Sequence, residues 1–180
     1  MPSVRSKRDG NIEALENHNC AVNDLVCFRE QFVEVTSTRV RDIHRPTGER
    51  VSVVGRSMGG LYAFDVSQEV PELTRRVITL GAPFGDPRGT SMFEVMRRLS
   101  GSKTPLEAQN VDSWVSNARA PKVPTHIIYS DRDGIVGSEI ARLLDSPLLS
   151  VANVDPSHLG FTLNAAALRE VAGALVLGSS

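Results

Sequence analysis

Two cysteines, Cys20 and Cys27, are too few for a disulfide framework in a chain of 180 residues. His18 lies close to Cys20, but no second ligand pair stands at zinc-site spacing, so the sequence implies neither a metal nor a cofactor. Neither sign of charge dominates. Twenty basic and 21 acidic side chains leave a net charge of -1, which gives no electrostatic footprint for a nucleic-acid partner. Arg39, Arg41, His44, Arg45 and Arg50 do cluster, and they read as a solvated helix end and turn rather than an anion site. Long apolar runs are also missing. The best candidate, 165–177, is broken by Arg169 and Glu170, so no membrane span is implied. Residues 1–11 are polar and charged, without the apolar segment of a secretory signal, and the chain as written reads as cytoplasmic.

What the chain does contain is the apolar content of a globular protein: 41% hydrophobic residues, with 14 glycines besides. Its length favours a single domain over 1–180. Val22, Leu25, Val26, Phe32, Val33, Val40 and Ile43 form a helical stripe that Asn23 or Asp24 can cap. That helix is expected to stop before Pro46, because the residue before a proline avoids helical geometry. Pro46-Thr47-Gly48 then reads as a turn. The β-branched run 51–55 reads as a buried parallel strand, 61–70 as a helix ended by Pro71, and 76–80 as a second strand. Strands at 124–129 and 148–154 and an amphipathic helix over 161–177 complete the alternation. Such alternation indicates an α/β layer fold with a mostly parallel sheet. The irregular stretch at about 83–121 reads as a lid-like insertion, with short helices at 91–99 and 105–118.

The chemistry-bearing segment is Gly55-Arg56-Ser57-Met58-Gly59-Gly60, a G-x-S-x-G sequence. Alone it fits a glycine-rich turn with a capping Ser. Between a strand and a helix it fits a nucleophile elbow, whose sharp turn raises the hydroxyl above the sheet. Small residues two before and two after the Ser leave room for that turn. The helix N-terminus favours a developing oxyanion, and the Met58 N–H can donate to it. A Ser hydroxyl needs a base to take its proton. Of the four His, His18 lies in the polar N-terminal segment, His44 beside a turn and His126 near a strand start. His158 follows the last strand, at the same sheet edge as Ser57, and is the preferred base. The base needs an acid to fix its tautomer. Asp131 and Asp133 both follow the strand ending at Tyr129. Asp133, before Gly134-Ile135-Val136, is preferred to Asp131, with Asp155 third.

The segments 51–60, 77–84, 128–136 and 157–161 together resemble the lipase/esterase branch of the α/β-hydrolase superfamily, in particular small bacterial serine hydrolases. The resemblance implies a three-layer α/β-hydrolase-type sheet. It implies Ser57 as nucleophile, Asp133 as acid and His158 as base. It also implies that Pro83 and Phe84 line the acyl side of a substrate pocket. Arg56 departs from the aromatic residues usual at its position and predicts a different pocket wall. Relatives also carry earlier strands and a Gly-containing loop that donates a second oxyanion N–H. The chain therefore reads as an N-terminally truncated, partial domain, with Val4 to Lys7 as a remnant strand. Unpaired, the sheet edge is a route to dimerisation or aggregation. The expected activity is hydrolysis of a small ester or lipid-like substrate. The alternatives are an acyltransferase or thioesterase with the same triad, or a weakly active hydrolase-derived fragment that binds a partner.

Overall fold

The computed structural model describes residues 25–85, 119–139, 141 and 145–176. Within them the chain forms helix α1 (Leu25–Thr47), strand β1 (Val51–Arg56), helix α2 (Met58–Glu69), strand β2 (Thr74–Leu80), strand β3 (Thr125–Tyr129), strand β4 (Leu149–Asn153), a 3-10 helix (His158–Thr162) and helix α3 (Ala165–Val176). The strands lie in chain order β1-β2-β3-β4 in a single sheet, and every pairing is parallel. The remnant strand at 4–7 and the helices at 91–99 and 105–118 lie outside the described residues, as do His18, Cys20 and the capping pair Asn23 and Asp24.

The strand alternation explains the layering. Side chains on successive strand positions point to opposite faces. Val53, Val77 and Ile127 face one way, where Leu61, Ala63 and Phe64 of α2 pack against them. Ile78, Leu80 and Ile128 face the other way, against Ala167 and Ala174 of α3. Helix α1 covers α2 through Val33 and Val40, which meet Val66 and Val70. A buried ion pair ties the same two helices: Arg29 Nε donates to Asp65 Oδ2 at 2.5 Å, and Arg119 reaches the other carboxylate oxygen. Three layers result: α1 and α2, the sheet, and α3.

Several boundaries differ from the sequence expectation: α2 begins at Met58 rather than 61 and β2 at Thr74 rather than 76, and two further helix ends have visible causes. Helix α1 runs through Pro46 to Thr47 instead of stopping before the proline. Pro46 lacks the N–H that would bond four residues back, but it stands one residue from the helix end, so only one such bond is forfeited. Thr47 Oγ1 donates to the Ile43 carbonyl at 3.0 Å, and the Gly48 N–H closes on the His44 carbonyl at 2.7 Å. The last helix does not begin at Phe161. Phe161 belongs to the 3-10 helix, and α3 starts after Asn164, whose Oδ1 accepts the Ala167 N–H at 2.9 Å. That bond is an N-cap, and it resets the chain direction between the two helices.

Candidate active site

Ser57 sits between the last residue of β1 and the first of α2. Its backbone has φ 53° and ψ -129°, and it is the one non-glycine residue with positive φ among the described residues. L-residues pay for that conformation in steric strain, which persists only where the surroundings over-determine it. The surroundings here are explicit. The Arg56 backbone is paired with Leu80, and the Ser57 N–H donates to the Leu80 carbonyl at 2.8 Å. The turn also folds α2 back so tightly that a Cβ on Gly55 would run into the Gly59 carbonyl. The small residue two before Ser57 is therefore required. The one two after it is not, because a Cβ on Gly59 would meet nothing within 4 Å. Met58 opens α2, so its N–H is among those without an intrahelical acceptor.

His158 opens the 3-10 helix and is buried. Its Nδ1 lies 2.7 Å from Asp133 Oδ2, and Asp133 is buried as well. An ionised carboxylate only accepts, so this contact puts the proton on Nδ1 and leaves the Nε2 lone pair free. The other oxygen, Asp133 Oδ1, accepts the N–H groups of Ile135 and Val136, both at 2.9 Å. The Gly134-Ile135-Val136 context thus locks the carboxylate by backbone bonds. Phe161 meets the imidazole edge-on, with ring centroids 6.4 Å apart.

The two other carboxylates considered from the sequence are occupied elsewhere and exposed. Asp131 accepts from Asn153 Nδ2 at 2.6 Å, and Asp155 pairs with Arg132 at 2.9 Å. His126 lies at the far end of β3, where it contacts Ser150 Oγ at 2.7 Å and Glu170 at 3.4 Å. Pro83 and Phe84 are both buried. Phe84 stacks edge-on against Phe64, with centroids 5.5 Å apart, in the cluster that supports Met58.

Solved structures share this architecture. An esterase from Rhodococcus sp. ECU1013 superposes with a TM-score of 0.55 at 12% identity, over 89% of this chain and 74% of that one. The mature lipase BlEst2 of Bacillus licheniformis gives 0.52 at 17% identity, over 75% and 72%. An α/β-hydrolase enzyme from the metagenome of sediments of the Mar Chica lagoon, Morocco, gives 0.51 at 16%, over 79% and 68%. The chain has the α/β-hydrolase fold. No protein-family model matches it, and no curated protein matches it in sequence.

Within this fold two contacts at the site escaped the sequence reading, which takes Gly81 only as a strand end and Arg56 only as a pocket-wall residue. Gly81 follows β2 with φ 54°, and a Cβ there would lie 2.8 Å from the Phe161 ring and 2.9 Å from Asp133 Oδ2. Only glycine lets β2 end directly beneath the Asp133–His158 pair. A turn glycine after a strand was a visible signal for it. Arg56 donates from Nη1 to the His158 carbonyl at 3.1 Å. No local pattern points to that contact, since 102 residues separate its ends. No helix among the described residues is long and apolar enough to cross a membrane.

Proposed function

We propose that this chain is a serine hydrolase of carboxylic esters, lipase- or esterase-like, working through Ser57, His158 and Asp133. The observation that carries the reading is the buried 2.7 Å contact between His158 and Asp133, in loops that follow β3 and β4 at the carboxyl edge of the sheet. The strained Ser57 follows β1 at that same edge. Parallel α/β sheets place their sites at this edge.

In the proposed reaction Ser57 Oγ attacks the ester carbonyl carbon while its proton passes to His158 Nε2. Asp133 holds the ring and stabilises the imidazolium that forms. The Met58 N–H, together with the N-terminal dipole of α2, stabilises the oxyanion. Collapse of the tetrahedral intermediate breaks the C–O bond, and His158 returns the proton to the departing alcohol. Water, deprotonated by His158, then releases the acid from the acyl-enzyme. Pro83 and Phe84 serve the acyl side of the pocket, Phe84 as the packed support under Met58. The substrate is a small ester or a lipid-like one.

The test is turnover of short p-nitrophenyl esters by the wild type and by Ser57→Ala. The variant is expected to remain folded and to lose kcat by on the order of 10⁶. Wild-type turnover by the variant would remove Ser57 from the reaction.

A further inference from the structure

We infer that Arg56 is a positioning residue, and that its bond to the His158 carbonyl sets the position of the imidazole relative to Ser57. The inference rests on the triad reading above and adds to it a group outside the triad. Arg56 is the last residue of β1 and immediately precedes Ser57. Its backbone is paired in the sheet with Leu80, so the side chain springs from one of the most fixed points near the site. Its Nη1 donates to the His158 carbonyl at 3.1 Å.

His158 needs such a tether. It stands at the end of an irregular loop, 154–157, in which Asp155 and Ser157 are exposed. The Val154 N–H anchors the start of that loop to the Tyr129 carbonyl at 2.9 Å. At the far end, Asp133 fixes the ring Nδ1 at 2.7 Å, which sets the tautomer and one point of the ring. Asp133 and the edge-on Phe161 hold the ring, whereas the Arg56 bond holds the backbone that carries it, from the side of the nucleophile. It joins the backbone of the base to the residue next to the nucleophile, so motions of the two groups are coupled. Misplacing a reacting group by about 1 Å can cost on the order of 10² in rate. The arginine at this position therefore serves the base directly and is not only a pocket wall.

A single carbonyl acceptor asks for one N–H, not a bidentate fork. Lysine has the reach and the donor for that, whereas methionine keeps the volume without a donor. The experiment compares Arg56→Met and Arg56→Lys with the wild type on a p-nitrophenyl ester and on an alkyl ester of the same acid. A displaced imidazole returns its proton poorly, and an alkoxide needs that proton far more than p-nitrophenolate does. Arg56→Met should therefore lower kcat by about 10- to 10²-fold on the alkyl ester. The loss on the p-nitrophenyl ester should be clearly smaller, and KM should change little on both. Arg56→Lys should recover most of the loss. A spectroscopic readout works without turnover. The His158 Nδ1 proton, held against Asp133, should give a far-downfield proton resonance that Arg56→Met broadens or loses and Arg56→Lys keeps. Wild-type kcat and an unchanged resonance in Arg56→Met would overturn the inference. So would equal losses in both variants, or equal losses on both esters. If the wild type itself hydrolyses neither ester, the triad reading fails, and the resonance still decides whether Arg56 positions His158.

Discussion

Ser57 shows how much local geometry a few residues can dictate. Its positive φ follows from a strand that ends at Arg56 and a helix that must begin at Met58, with the glycine at 55 yielding the space. That much was legible in the sequence, because strand, turn and helix signals all fall within about ten residues. The surroundings of Asp131 and Asp133 differ for a similarly local reason. Gly134-Ile135-Val136 presents two N–H groups to the Asp133 carboxylate, whereas Asp131 is turned outward to Asn153. Arg56 and Gly81 were not legible, because their partners come from loops far away in the chain. The Asp pair yields a ranking. Asp133→Asn should lower kcat by on the order of 10⁴, since the amide can donate to Nδ1 and favour the wrong tautomer. Asp131→Asn should lie within a few-fold of the wild type. Steady-state kinetics on the two variants checks this, and the reverse order would move the acid role to Asp131.

At the scale of elements, the strands were read closely and the helix ends less so. The central strands β2 and β3 are largely buried, which survives in sequence as β-branched runs; β1, expected to be buried, and β4 are edge strands and stay partly exposed. Helix ends depend on single capping bonds, such as Asn164 Oδ1 to the Ala167 N–H, which a hydrophobic pattern does not register. The docking of α3 rests on polar contacts at the far end of the sheet. Arg75 and Arg76 donate to the carbonyls of Leu175 and Ala174, and His126 meets Glu170. Burial pushes the His126 pKa below the ordinary imidazole value, and this outweighs the opposite pull of Glu170; Arg76 adds to the downward shift. A depressed base takes up a proton more readily when unfolded. As pH falls through and below about 6.5, the unfolded chain binds the proton first and stability drops. His126→Gln should therefore flatten the decline of Tm between about pH 7 and pH 5. Thermal scans across that range check it, and an undiminished slope in the variant would assign the acid sensitivity to other groups.

The described residues form a parallel sheet sandwiched between helices, and the chain covers 68% of the Mar Chica enzyme and 74% of the Rhodococcus esterase whose fold it shares. The layer order was legible because alternating strand and helix patterns admit few parallel arrangements. Among the described residues β1 pairs only with β2, which leaves its outer edge open. Unpaired strand edges template further pairing. We expect self-association that grows with concentration, read by sedimentation velocity; a monomer at the highest concentrations reached would show the edge to be covered. Covalent labelling tests most directly whether the turn after β1 carries an activated serine. A serine-directed fluorophosphonate incubated with the folded chain, followed by peptide mass spectrometry, should modify Ser57, and Ser57→Ala should abolish the modification. An unlabelled folded wild type, or the same labelling in Ser57→Ala, would contradict it.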